Sequence, residues 1–221
     1  MKDEHLNRKI DAYRRSGTED YLAARCLLLN RHPKAGSEIA HTAIEKIIKA
    51  IELELTGGCQ KIGHDNVQRW QGLAESFDDL QRLLNVDFLE YLQAIYNLRY
   101  FEEKSNMMFC IASLQTLLAL DKYFGQLSNF LSSRRSDTCP YRGYIDRDDD
   151  KLTRLNVFIS LCDIEEFISQ RDYFQFFLLP HHESTVSFVW GASYRNTVNP
   201  DDPTILNMLK DKAPEECIGE N

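Results

Sequence analysis

Apolar residues recur at spacings of three and four along most of this chain, the pattern of helices that each bury one face. Leu6, Ile10 and Tyr13 mark a short amphipathic helix over 3–15, and Ser16-Gly17 predicts a break. Thr18 reads as an N-cap, with Glu19 and Asp20 in a first turn that favours acids, opening a helix that runs to about Asn30. The strongest pattern spans Ala35 to Leu55. Ala40, Ala43, Ile44, Ile47, Ile48, Ile51 and Leu55 form one stripe, while Glu38, Glu45, Lys46, Lys49 and Glu52 lie mostly off it. Glu45 and Lys49 are an i,i+4 pair in the favourable order, and Thr56-Gly57-Gly58 predicts a stop. A loop over 57–63 is followed by weaker helices over 65–77, 79–84 and 86–101. A long helix over 106–131 then comes, apolar on nearly every face up to Leu120.

Beyond Ser132 the texture changes. Residues 133–151, rich in Arg and Asp, read as an exposed linker or loop. Helical periodicity returns from Leu152 to Leu179 through Leu155, Phe158, Ile159, Cys162 and Phe167. Within it Tyr173 to Leu179 is an aromatic cluster that reads as a docking surface on the bundle. Thr185 to Trp190 is β-prone and predicts a short strand. The tail from Asn199, with Pro200, Pro203 and Pro214, predicts a short helix and a frayed end. The expected fold is all-α, an up-and-down helical bundle of four to five main helices with a mostly helical C-terminal extension. Its expected segments are an N-terminal helix (1–17), the bundle (18–134), a linker (135–151), an extension packed on the bundle (152–198) and a tail (199–221).

Composition adds constraints. The chain has 221 residues, 43% of them hydrophobic and 27% charged, enough for one cored domain with an appendage. The first residues lack an apolar signal region, and no apolar run reaches the roughly 18 uninterrupted residues of a membrane span, so a cytoplasmic protein without a membrane partner is expected. Six cysteines (26, 59, 110, 139, 162, 217) form no CxxC or CxH pair, and Cys26, Cys110 and Cys162 sit in apolar runs, the placing of reduced, buried thiols. The net charge of −8 comes wholly from residues 136–221, where eight basic residues face sixteen acidic ones. No basic stripe neutralises a phosphate backbone, which disfavours non-specific nucleic-acid binding. The same acidic region carries Phe158, Phe167, Phe174, Phe177, Phe188 and Trp190, too many large apolar groups for a solvated tail.

Two stretches carry a family resemblance. The first comprises Tyr21-Leu22-Ala23-Ala24-Arg25, then Ala40 to Ala50 with His41, Glu45, Lys46 and Lys49, then Gly63-His64-Asp65; the second is Tyr96-Asn97-Leu98-Arg99-Tyr100. In order and spacing they resemble the HEPN (higher eukaryote and prokaryote nucleotide-binding) family over about 18–131. The resemblance implies a four-to-five-helix bundle, frequently dimeric. Such a bundle serves either as an RNA-cleaving toxin or effector or as a non-catalytic binding module. Catalytic members carry an Arg followed, after four to six residues, by a His just before the last long helix, with the Arg stabilising phosphorane charge and the His moving a proton. Here Arg99 takes the Arg position, while Lys104, Ser105 and Asn106 stand where the His belongs.

The candidate ligand-binding residues are Arg99, Tyr100, His41, Glu45, Lys49, His64 and Asp65. Each also has a plainer reading. His41 suits a hydrogen-bonded core or interface histidine, Asp65 a helix N-cap, and Arg99 a clasp on a helix C-terminus as much as a grip on a phosphate or carboxylate. Arg25 and His32 alone have catalytic spacing elsewhere, across the end of the first family helix. His181-His182-Glu183 reads as a solvated turn rather than a metal site, and Asp146 to Asp150 lacks the glycine and final Glu of a calcium loop. No P-loop, GxGxxG, GxSxG or HExxH is present. No catalytic residue, metal or cofactor is assigned. The expected function is a non-catalytic HEPN-like module binding a nucleotide, RNA or partner protein (a separately encoded nucleotidyltransferase among them), as a homodimer. The alternatives are a HEPN-type ribonuclease (toxin or effector) with a displaced or degenerate Arg/His site and a structural or antitoxin-like partner without a ligand site. With the family's His replaced, purified protein should not cleave bulk RNA without metal; cleavage that disappears in Arg99→Ala would overturn this.

Overall fold

A computed structural model describes residues 4–98, 107–135, 140–145, 156, 158, 174–178, 186–190 and 194–198. Helix α1 (Glu4–Leu29) and helix α2 (Pro33–Thr56) form a long hairpin, joined by a turn in which Arg31 takes a left-handed φ of 63° and Pro33 opens α2. Helix α3 (Asn66–Ser76), a 3₁₀ turn (Asp78–Leu80) and helix α4 (Val86–Asn97) follow. Strand β1 (Met107–Ala112) leads into helix α5 (Ser113–Arg135) and the short α6 (Pro140–Ile145). Strands β2 (Phe174–Leu178), β3 (Val186–Trp190) and β4 (Tyr194–Val198) complete the described chain.

The chain is mostly helical, and α2 is the element the bundle is built around, touching α1, α3, α4 and α5. Its expected stripe holds: Ala40, Ala43, Ile44, Ile47, Ile48 and Ile51 are buried, and Leu55 packs at the edge. Gly57 ends α2 in the left-handed region, at φ 76°, and returns its N–H to the Leu53 carbonyl. No helix among the described residues is long and apolar enough to cross a membrane.

Four expected boundaries change. Ser16-Gly17 does not break the first helix. Gly17 is buried where α1 crosses α2, and a Cβ there would stand 3.2 Å from Lys46 Cβ, so the glycine permits close helix packing instead. Thr18 is accordingly no N-cap; its hydroxyl donates back to the Arg14 carbonyl at 2.9 Å. The helix expected over 79–84 shrinks to the 3₁₀ turn. The helix expected over 106–131 begins only at Ser113, because Met107–Ala112 is a strand lying between two others. A short run that is apolar throughout suits a central strand as well as a buried helix, and periodicity does not separate them. The proposed linker holds α6, whose Tyr141 is 2% exposed and meets Tyr21 and Phe124 at ring distances of 5.7 and 5.8 Å.

The sheet runs β2-β1-β3-β4. β1 is antiparallel to β2 (Cys110 opposite Phe176) and parallel to β3 (Met108 opposite Phe188), and β3 is antiparallel to β4 (Phe188 opposite Asn196). Part of the aromatic segment expected to be helical, 174–178, is thus a strand, and the strand expected near 185–190 is β3. In the apolar run up to Leu120, Ile111, Leu117 and Leu120 are fully buried within one chain. The remainder of 152–173, the His181-His182-Glu183 and Asp146–Asp150 runs and the tail over 199–221 lie outside the described residues.

A buried polar centre joins α1 to α5. Arg25 (0% exposed side chain) pairs with Asp121 (2%), the Tyr21 hydroxyl donates to Asp121 Oδ1 at 2.7 Å, and Asn156 Nδ2 donates to the Tyr21 hydroxyl at 3.2 Å. Burial, reinforced by the Asp121 charge, pushes the Tyr21 phenol well above its ordinary range, so it stays a donor. Removing one member strands the other as an uncompensated buried charge. Asp121→Ala should therefore cost about 3–5 kcal/mol in chemical denaturation, whereas Arg25→Met with Asp121→Leu should cost less than the single change.

Candidate functional site

Helix α2 has a second face besides its apolar stripe. His41, Glu45, Lys49 and Glu52 follow one another at spacings of four, four and three, which places them in a row. Against that row lie the loop after Gly57, the start of α3 and the end of α4. Glu45 and Glu52, expected off the buried stripe, are 4% and 1% exposed. A carboxylate leaves water only with partners, and both have them.

Glu52 builds the foundation. Arg69 of α3, itself 2% exposed, pairs with it, and the Gln60 N–H donates to Glu52 Oε1 at 2.7 Å. The Arg69 guanidinium also donates to the Gln60 carbonyl at 3.3 Å and to the Gly63 carbonyl at 3.4 Å. The loop over 57–65 is thereby tied to α2 at the turn immediately before His64.

Glu45 forms the second tier. Its carboxylate accepts from Lys49 one turn on and meets His64 Nδ1 at 2.9 Å through Oε2. Burial alone raises this carboxyl, but the hydrogen bonds from Lys49 and His64 outweigh it and hold Glu45 below its ordinary range. The His64 side chain remains 62% exposed. With Nδ1 engaged by Glu45, His64 Nε2 has no hydrogen-bond partner among the described residues. Tyr96, 8% exposed, lies between the two histidines, its ring 4.2 Å from that of His41 and 5.6 Å from that of His64.

His41 is fully buried. Its Nε2 stands 3.0 Å from Gln93 Oε1 and 3.0 Å from Asn66 Nδ2, and Asn66 also donates to the His41 carbonyl at 3.3 Å. A protonated Nε2 serves Gln93 and a bare one serves Asn66, so the tautomer selects between two amides. His41 is a brace for Tyr96 and the start of α3, not a group facing solvent.

Of the residues singled out in the sequence, His41, Glu45, Lys49 and His64 thus come together. Asp65 acts as the N-cap of α3, its carboxylate accepting the Gln68 N–H at 2.9 Å. Arg99 and Tyr100, like positions 104–106, lie outside the described residues. The alternative pair separates: Arg25 is buried with Asp121, while His32 is exposed at the start of α2. Glu52, Arg69, Asn66, Gln93 and Tyr96 were missed. The signal for Glu52 was its seven-residue distance from Glu45, two helical turns on the same face. Among the described residues no group of three or more His, Cys, Asp or Glu is disposed to hold a metal ion.

No protein-family model, curated protein or solved structure matches this chain.

The Glu45 tier carries a pH signature. A carboxyl whose pKa is lower folded than unfolded contributes stability that is complete above its ordinary value of 4.5 and is lost as pH falls through the folded value. Glu45→Gln should destabilise the protein by about 1–3 kcal/mol at neutral pH, and the difference from wild type should shrink at about pH 3. Urea unfolding of both proteins at the two pH values measures this.

Proposed function

We propose that the chain is a non-catalytic HEPN-like module that recognises a nucleotide or an RNA end at the face formed by His64, Glu45, Lys49 and Tyr96. One observation carries this reading: an exposed imidazole is fixed on a buried carboxylate, beside a cation and over an aromatic ring. A free histidine side chain in water samples many rotamers, whereas the Glu45 contact orients this one before a ligand arrives. Its ring offers a stacking face for a base, and its Nε2 a hydrogen-bonding position for a ribose hydroxyl or a phosphate. Arg99 and Tyr100 follow Tyr96 within four residues in the sequence, a second cation and a second ring in the order the family resemblance implies. The absence of a basic stripe suits recognition of one or two nucleotides better than of a long duplex.

The expected result is saturable binding of adenosine 5′-monophosphate or a short oligoribonucleotide, followed by calorimetry or amide chemical shifts. Affinity should fall about tenfold or more in His64→Ala, the loss of a stacking ring with a hydrogen bond. Unchanged affinity in that variant, with the fold intact, removes the reading. The same assay tests the ribonuclease alternative, which the Glu45–His64 pair favours: a carboxylate on Nδ1 leaves Nε2 placed to move a proton. RNA cleavage lost in His64→Ala and in Glu45→Gln would establish that alternative in place of simple binding.

A further inference from the structure

At the opposite end of α4 from Tyr96, about 15 Å along the helix axis, lies an open cleft of about 430 Å³ between the start of α4 and the middle of α5. Its walls are Gln81, Arg82, Leu84, Asn85, Val86, Lys122, Tyr123 and Gln126. Two of these are cations from different elements and none is an acid. Lys122 lies 5.3 Å from the centre of the Tyr123 ring, and among the described residues neither Arg82 nor Lys122 has a carboxylate partner. Acids are close by, since Asp79 pairs with Arg134 and Asp87 stands in the first turn of α4, yet neither lines the cleft.

The remaining walls complete a site for an anion with an apolar body. Tyr123 packs against Phe88 at a ring distance of 5.2 Å. Its phenol is pushed up by burial and therefore stays protonated, a neutral group that can donate. Leu84, which is buried, and Val86 supply the apolar floor. The Asn85 side chain caps α4 by accepting the Asp87 N–H at 2.7 Å.

We propose that this cleft binds a small organic anion, with a phosphomonoester or carboxylate head between Arg82 and Lys122 and an apolar or ring-bearing body on Leu84, Val86 and Tyr123. The site is separate from the His64 face and does not depend on the function assigned there. A head between two cations from separate elements gains from both, whereas a neutral molecule of the same shape gains from neither. The volume falls in the range of small-molecule sites, and the lining divides about evenly between polar and apolar surface.

The test uses the full chain with phenyl phosphate, benzoate, inorganic phosphate and benzyl alcohol as probes, followed by backbone amide shifts. Phenyl phosphate or benzoate should shift the signals of Val86, Lys122, Tyr123 and Gln126 saturably, and the tighter of the two identifies the preferred head. Arg82→Gln and Lys122→Gln should each weaken binding about fivefold, and the pair together at least about twentyfold, while unfolding midpoints stay put because both side chains are exposed. His64→Ala should leave this binding unchanged, which separates failure here from failure at the other face. The proposal is overturned by benzyl alcohol binding as tightly as phenyl phosphate, by inorganic phosphate matching it, by shifts scattered over surface lysines, or by full affinity in the double variant.

Discussion

Two carboxylates withdrawn from water on one face of one helix set the terms for this half of the molecule. A glutamate buried to a few per cent stays charged only if donors surround it, and the donors must come from elsewhere in the chain. Glu52 draws in Arg69 and, through it, the carbonyls of Gln60 and Gly63, so the loop between α2 and α3 has little freedom of position. Glu45, two turns away, then meets a His64 whose backbone is already placed. The lower pair fixes the loop and the upper pair fixes the side chain.

The bundle contains a second centre of the same kind with a different outcome. Arg25, Asp121 and Tyr21 are closed off from solvent, and Asn156 from the C-terminal region supplies a further hydrogen bond. Nothing there faces outward. Its effect is to specify how α1 and α5 meet and where the chain beyond α6 returns, an arrangement that apolar packing alone leaves less defined. The contrast shows why a titratable residue in a suggestive spacing needs its surroundings: Arg25 is engaged internally, while His64 keeps one nitrogen for solvent.

Much of this was legible in the chain. The stripe on α2, the Gly57 stop, the Asp65 cap and the closeness of His41, Glu45 and Lys49 all follow from helical spacing, a local property. What escaped the sequence depends on partners far away. Gly17 resembles a helix breaker until α2 is brought against it. Glu52 and Arg69 resemble surface residues until they are paired across 17 positions. The apolar run at 107–112 resembles helix because the segments that make it a strand begin more than sixty residues later. Tyr96, Gln93 and Asn66 gain their roles only from the histidines they touch.

That last separation has a consequence for the order in which the molecule is assembled. The α1–α2 hairpin is complete within the first 56 residues and makes the most extensive helix–helix contact of the bundle, so it forms from near neighbours. β1 lies at the heart of the sheet, yet both strands that flank it, and β4 beyond them, are drawn from 174–198. During synthesis the helices therefore have their partners long before β1 does. Through that interval β1 presents two unpaired edges and an apolar sequence, the condition under which strands pair with the wrong chain. The sheet can close only once 174–198 has been made, so β1, in the middle of the chain, waits on its far end.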